Sequence, residues 1–502
     1  MNNLIHHIPA QLDDILKSMP WFVPELGLSI LFLIVFLADL IAGKKMAGLA
    51  RTVSIIGMLV VLFTALQQLP LVPVGESHFV FNGMLLLHRT SVCFKLVIDA
   101  LAILVLIYIP WDKALRAHFK GLGDLYSIII ASVLGLHLML MAVNLLSIYL
   151  AVEMVSIASY LMVAYRSDTQ TTTEAGMKYV LFGAVASAIM LYGISLLYGF
   201  SGTLDIFADS FIQNLIHVSP LSVSLALVLV MVGIGFKLSF VPMHFWVPDV
   251  YQGAATPVTA YLSTLPKIAG LGMLINFLTP FVFSTSWAAF DFRLLLSVVG
   301  VITLIVGNIA AIWQTNIKRL LAYSSIGHTG FALMALVTFS EQGISALLFY
   351  LAVYAIANIG ALMLCSYYVN KIGAHTLDSY KGVGLRYPLP SVCFVMILIS
   401  LAGLPVSAGF NGKLLVFSAV YDVYQHSPNV WLLALLITGA ATTVIALFYY
   451  IKIPLYLFLK KNDHHADDLI VNHKYLLIFI CVISAFLLLT GVFPQMLNFL
   501  QL

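Results

Sequence analysis

Charge is what this chain of 502 residues has least of. Only 9% of its residues are Asp, Glu, Lys or Arg, against about 25% in a soluble domain. With 62% hydrophobic residues, that shortage excludes a freely dissolved globular protein. The net charge of +3 is too small to favour nucleic acid. Cysteine is scarce as well. Cys93, Cys365, Cys393 and Cys481 lie in apolar stretches without a Cys-x-x-Cys pair, which excludes a disulfide framework and a thiolate metal centre. No nucleophile triad, Gly-rich phosphate loop or haem-ligating histidine pair is evident. No cleavable signal peptide is expected either, because the first apolar stretch, 21–43, is long enough to cross a membrane.

What is present is a succession of apolar runs. A crossing takes about 20 mostly apolar residues. Fourteen are predicted, at 21–43, 51–71, 91–110, 124–144, 146–165, 174–200, 222–242, 255–279, 293–313, 319–339, 343–370, 389–420, 429–457 and 473–496. Basic residues then alternate between loops. One side collects Lys44, Lys45, Arg51, Lys113, Arg116, Lys120, Arg166, Lys318, Arg319, Lys371, Lys381, Arg386, Lys460 and Lys461. The other has little beyond Lys17, Arg89 and Arg293. Basic loops stay in the cytoplasm, so both termini are expected on the outer side. Residues 72–90 alternate around Asn82-Gly83 and predict a small outer hairpin.

Charges inside these runs are costly, about 2.5–3.5 kcal/mol each on insertion scales, and mark function by default. Glu153 has no charged neighbour between Asp124 and Arg166, and Lys237 none between Asp209 and Asp249. Lys267 is isolated between Asp249 and Asp291, and Lys413 between Arg386 and Asp422. These four are the candidate proton-relay residues. A lysine taken out of water gives up its proton more readily, and a nearby carboxylate reverses that, so such groups load and release protons as partners move. Lys178 follows Glu174 by four residues, the spacing of a helical surface pair. Lys318 begins a span, where topological anchoring competes with a relay role. His244 and His328 fit either a satisfied core histidine or an accessory proton carrier. Lys95 and Asp99 are spaced as an internal structural pair. Glu25 and Asp39 sit near the two ends of the first span, where water reaches. "NDHHADD", 462–468, reads as a solvated loop, not a metal site.

The backbone around two lysines is interrupted. Gly233, Gly235 and Pro242 flank Lys237, and Gly403, Pro405, Gly409 and Gly412 flank Lys413. Broken helices at membrane depth need protein or water-filled cavities around them, and paired interruptions point to an inverted-repeat transporter. The expected fold is therefore an all-α polytopic membrane protein. It has about fourteen spans, two inverted five-helix repeats (spans 4–8 and 9–13) and broken helices 7 and 12. The expected units are 1–120 (spans 1–3), 121–280, 281–457, and 458–502 with the last span.

Four segments add a resemblance that covers roughly Leu146 to Phe417. They are "GIGFKLSFVPMHFWVPDVYQGAATPVTAYLSTLPKIAG", "EAGMKYVLFGAVASAIMLYGISLLYG", "NIAAIWQTNIKRLLAYSSIGHTGFALMAL" and "LAGLPVSAGFNGKLLVF". Together they resemble the antiporter-like membrane subunits of respiratory complex I. Lys413 in place of a glutamate, a chain stopping at Leu502 without a lateral helix, and the wording of the second segment are similar to the N-type subunits. Cation/proton antiporter subunits are the competing relatives. The resemblance implies a Glu153–Lys237 charge pair, a central relay at Lys267, and a terminal donor at Lys413 toward the outer side. It extends the path through His244 and His328. It also implies FMN, iron–sulfur clusters and quinone in other subunits and none in this chain, neighbouring membrane subunits as partners, and a bacterial inner membrane. A static scaffold and a stand-alone solute transporter are the remaining alternatives. The scaffold requires each buried lysine to be locked against its own carboxylate.

Overall fold

The computed structural model describes residues 2–42, 48–117, 121–166, 169–461 and 474–496. They form twenty helices and one hairpin. The N-terminal part holds α1 (Asn2–Ser18), α2 (Val23–Ala42), α3 (Leu49–Gln68), the hairpin β1–β2 (Ser77–Val80, Leu85–His88), α4 (Arg89–Tyr108) and the short α5 (Lys113–Arg116). Next come α6 (Gly123–Met141), α7 (Leu145–Val163), α8 (Gln170–Ser201), α9 (Asp209–Ile216), α10 (Pro220–Leu238), α11 (Val247–Gly253) and α12 (Thr256–Val282). The remainder is α13 (Phe292–Ile312), α14 (Ile317–Leu336), α15 (Glu341–Ile372), α16 (Val383–Arg386), α17 (Pro388–Ala402), α18 (Ala408–His426), α19 (Val430–Pro454) and α20 (Lys474–Val492).

Every predicted span overlaps a helix. Twelve segments are long and apolar enough to cross a membrane, and Pro388–Ala402 is apolar but shorter. The run 389–420 is two helices, α17 and α18. The tight turn between the fourth and fifth spans is real: Asn144 accepts from Leu146 N, and Asn144 and Ser147 cap each other. The hairpin pairs Ser77 with His88 and Val80 with Leu85, turning through Asn82 and Gly83 in the left-handed region. The four cysteines are free. "NDHHADD" lies outside the described residues.

Burial sorts the helices. The apolar windows of α12 and α15 are 83% and 94% buried, whereas those of α8 and α19 are 33% and 28%. So α12 and α15 are the internal pillars, and α8 and α19 turn large apolar side chains such as Leu181, Val185, Ile437 and Phe448 outward. Lipid gives little apolar drive to helix pairing, so close approach comes from small residues. At the α13–α14 seam a Cβ on Gly307 would stand 2.5 Å from Gly327 N and 2.9 Å from Gly327 Cα.

The two interruptions differ in origin. α17 stops at Gly403, whose φ of +80° suits glycine, and a Cβ there would press on the Lys413 stem at 2.7 Å. α10 stops instead at Ser239, with φ 64°. Gly233 and Gly235, expected to break this helix, lie inside it. They let α10 approach Met190 of α8 and let Phe240 fold back against the helix. In α12, Pro266 has no N–H to bond the carbonyl four residues earlier, and that Leu262 carbonyl takes the Tyr251 hydroxyl at 3.3 Å.

Gly307→Ala should destabilise the α13–α14 seam by about 1–3 kcal/mol, the usual cost of overpacking. The melting temperature of the purified protein should fall. Gly199→Ala, at a glycine with open space around it, should leave it unchanged.

Candidate functional site

Three lysines are buried at separate points along the interior, with Lys237 4%, Lys267 3% and Lys413 5% exposed. None has a carboxylate within 4.0 Å among the described residues. Their partners are hydroxyls and carbonyls, supplied by helix faces and by the helix breaks.

Lys237 lies in the last turn of α10 and donates to Ser156 Oγ of α7 at 3.2 Å. Ser156 sits one turn beyond Glu153, on the same side of α7. Glu153 is half-buried, and its Oε1 accepts no hydrogen bond. The charge pair implied by the resemblance is therefore not a contact pair here: the Lys237 ammonium is bonded to Ser156.

Lys267 follows Pro266 on α12 and donates to three acceptors on α14: Ser325 O at 3.1 Å, Ser325 Oγ at 2.8 Å and Thr329 Oγ1 at 3.1 Å. Thr329 Oγ1 also donates to Leu238 O at 3.2 Å, next to Lys237. On the other side, Tyr354 of α15 donates to Ser325 Oγ at 2.7 Å and reaches Ser263 O at 3.2 Å. Asn358, one turn on, donates to Ser263 Oγ at 2.6 Å.

His328 takes the next position on the α14 face. Its ring lies 4.5 Å from that of Tyr354, with Nδ1 2.6 Å from the Tyr350 hydroxyl and Nε2 3.1 Å from the Tyr450 hydroxyl. Both ring nitrogens have partners, as in a satisfied core histidine, and both partners can donate or accept. His328, Tyr350 and Tyr354 line a small cavity with Lys413. Its volume of about 10 Å³ is close to what one water needs. Lys413, on α18, closes the far end. It donates to Ala402 O at 2.8 Å, a carbonyl left free where α17 ends, and its ammonium stands 4.8 Å from the Phe331 ring centre.

Neutral and charged lysines need different partners. An ammonium only donates, whereas an amine also accepts. A hydroxyl can accept from either form and can also donate to an amine, whereas a carbonyl or carboxylate oxygen only accepts. Lys237 and Lys267 have such hydroxyl partners, and Lys267 and Lys413 also donate to backbone carbonyls.

The accessory candidates fall elsewhere. Lys178 pairs with Glu174 as its spacing predicts, at 2.6 Å, and with Asp249 at 2.7 Å. Asp249 also binds Arg319 at 2.5 Å. Lys318 donates to Ala254 O at 2.6 Å, at the end of α11. These contacts pin the short helix that follows the break after Lys237. His244 is half-buried, with Nδ1 3.3 Å from Pro242 O, and no hydrogen bond joins it to the row. Sequence reasoning passed over Ser156, Ser325, Thr329, Tyr350 and Tyr354. The available signal was weak: Ser156 follows Glu153 by three residues, and Ser325 and Thr329, like Tyr350 and Tyr354, are four apart.

Two further expectations are corrected. Lys95 and Asp99 do not pair with each other: Lys95 reaches Glu25 at 2.6 Å and Asp99 faces His137 at 3.0 Å. Glu25 is fully buried rather than wetted, because α4 and α6 cover its side of α2.

The chain resembles known proteins over nearly its whole length. Residues 142–443 match the model of the NADH:quinone oxidoreductase/Mrp antiporter membrane family. NADH-quinone oxidoreductase subunit N 2 of Chloroherpeton thalassium is 40% identical over 452 residues, 89% of this chain and 86% of that protein. Subunit N of Chlorobium chlorochromatii is 36% identical over 456 residues, 90% and 87% of the two. A chain of respiratory complex I from Thermus thermophilus superposes with a TM-score of 0.74 at 26% identity, covering 94% of this chain and 98% of that one. With a family match over more than half its length and relatives this similar over most of it, the chain belongs to the NADH:quinone oxidoreductase/Mrp antiporter family of membrane proteins.

Proposed function

We propose that this chain is the N-type proton-translocating membrane subunit of an NADH:quinone oxidoreductase. The observation that carries the reading is the row of three buried lysines without carboxylate partners: Lys237 on the Ser156 hydroxyl, Lys267 on Ser325 and Thr329 with Tyr354 behind them, and the cavity before Lys413. The named relatives supply the electron-transfer reaction. This chain's share is proton movement, with FMN, iron–sulfur clusters and quinone assigned to other subunits. It takes part in the enzyme as a subunit of a translocase, beside other antiporter-like and small membrane subunits in the inner membrane, with both termini outside.

In this reading a proton enters near Glu153 and loads Lys237. Loss of the Glu153 charge's influence releases it toward Lys267. Lys267 passes it through Ser325 and Tyr354 to the cavity. There His328, Tyr350 and a water hand it to Lys413, which discharges outward. Coulomb energies at low dielectric are large, so small changes in pairing suffice to drive each step.

Two five-helix units support this division. In order, α6, α7 and α8 are 19, 19 and 32 residues long, and α13, α14 and α15 are 21, 20 and 32. Each set continues with a broken span and a final helix, α12 or α19, of 27 or 25 residues. Two consecutive units of five crossings must face opposite ways, which is an inverted repeat. A static scaffold is disfavoured because the lysines are not locked against carboxylates. A cation/proton antiporter subunit would use the same row, and the 36–40% identity to N subunits favours the oxidoreductase.

Lys237→Met in the assembled complex, reconstituted in sealed vesicles, should lower the protons ejected per NADH oxidised severalfold relative to the parent while assembly persists. An unchanged ratio would sink the relay role. Tyr354→Phe removes one hydrogen bond to Ser325, worth about 1 kcal/mol, and should slow proton ejection roughly fivefold. An unaltered initial rate would remove Tyr354 from the path.

A further inference from the structure

Outside the lysine row, a second set of ionisable groups is sealed inside the N-terminal helices. Glu25 of α2, Lys95 and Asp99 of α4, and His137 of α6 are each 0% exposed. Lys95 Nζ stands 2.6 Å from Glu25 Oε1. The same Oε1 is 3.0 Å from His137 Nδ1, and His137 Nε2 is 3.0 Å from Asp99 Oδ1. Glu25 Oε2 and Asp99 Oδ2 have no hydrogen-bond partner, and Lys95 Nζ meets Glu25 as an ion pair without hydrogen-bond geometry.

The contacts determine a proton count. A neutral imidazole has one N–H and one bare nitrogen. Here both nitrogens face carboxylate oxygens, so one of the two contacts would bring acceptor against acceptor. The cluster would also keep one negative charge in excess, with no water around it. Burying an uncompensated charge costs several kcal/mol. One added proton removes both faults. On His137 it makes an imidazolium donating to both carboxylates. On Asp99 it lets the carboxyl donate to Nε2 while Nδ1–H donates to Glu25. Either way the cluster becomes neutral and every contact joins a donor to an acceptor. The ammonium of Lys95 already takes the cation position beside Glu25, which leaves a proton, not a metal ion, as the missing charge.

Among the described residues, no other charge on the surrounding helices substitutes for it. Asp39 lies against Gly123 at the other end of α2, and Asp124 opens α6. Arg51 is in the first turn of α3. His88 and Arg89 precede Lys95 by roughly 9 Å along the α4 axis. Glu153 of α7 lies beside Ser156, Lys267 of α12 is bonded to α14, and Glu341 and Lys371 stand at the two ends of α15.

We propose that Glu25, Lys95, Asp99 and His137 form a proton-binding site separate from the lysine row, holding one proton between His137 Nε2 and Asp99 Oδ1. The site gives the first three spans a charge state of their own. Because α6 packs on α7 and α12, that state acts on the helices that carry Glu153 and Lys267.

The test uses the complete complex in lipid with ¹⁵N-labelled histidine, comparing ring-nitrogen spectra of the parent and His137→Gln to isolate the His137 signals. At pH 8, where an isolated imidazole is neutral, the site should still hold its proton. The spectrum then shows two protonated nitrogens, or one N–H with Nε2 hydrogen-bonded to a carboxylic acid whose infrared band is lost in Asp99→Asn. A neutral ring with a bare Nε2 and no such band overturns the proposal. Asp99→Asn offers an N–H to Nε2 and removes the excess negative charge, so His137 should be an ordinary neutral imidazole at pH 8. A His137 that stays doubly protonated in that variant also overturns it. If the variant does not assemble, the parent spectrum decides alone.

Discussion

An ammonium buried at membrane depth must have hydrogen-bond acceptors, and a regular helix offers few, because each of its backbone carbonyls already accepts one bond. The structure around the lysine row follows from that constraint. Lys413 takes a carbonyl that α17 releases by stopping at Gly403. Lys237 and Lys267 take hydroxyls and a carbonyl from neighbouring helices, on faces that turn those groups inward together. The same rule operates at Pro266, whose missing N–H leaves the Leu262 carbonyl for Tyr251.

The choice of acceptor separates two kinds of buried charge in one chain. Around Lys237 and Lys267 the partners are hydroxyls, which tolerate a lysine in either protonation state. At the N-terminal cluster, and in the Lys178–Asp249–Arg319 group at the end of the first unit, the partners are carboxylates, which hold a positive charge in place. Carboxylate pairing suits permanence and hydroxyl pairing suits change. The half-exposed Lys178 group braces α11, the helix after the first break, so the geometry behind Lys237 does not rest on apolar packing alone.

The apolar runs, their interruptions and the isolation of four charges within them were legible because lipid makes a strict filter. A charge within an apolar run is visible by contrast, and so is a proline or glycine cluster. The role of each breaker was not legible. Gly233 and Gly235 serve close packing, whereas the turn in α10 is made by Ser239, a residue with no glycine-like signature. His328 stood open in the sequence between a satisfied histidine and a carrier, since its two tyrosine partners come from α15 and α19, 22 and 122 residues away. Lys95 and Asp99 misled because four-residue spacing predicts contact only when no better partner crosses from another helix, and here Glu25 and His137 do.

The sequence by itself determined the solvent, the all-helical architecture and the isolation of Glu153, Lys237, Lys267 and Lys413, since each follows from composition and spacing along one strand of chain. Tertiary structure decided which atoms those groups touch. It set Ser156 against Lys237, Ser325 against Lys267 and Tyr354 against Ser325, and gathered Glu25, Lys95, Asp99 and His137 from three helices. Hydrogen bonds form over about 3 Å between groups that may lie more than a hundred residues apart, and only packing brings those groups to that distance.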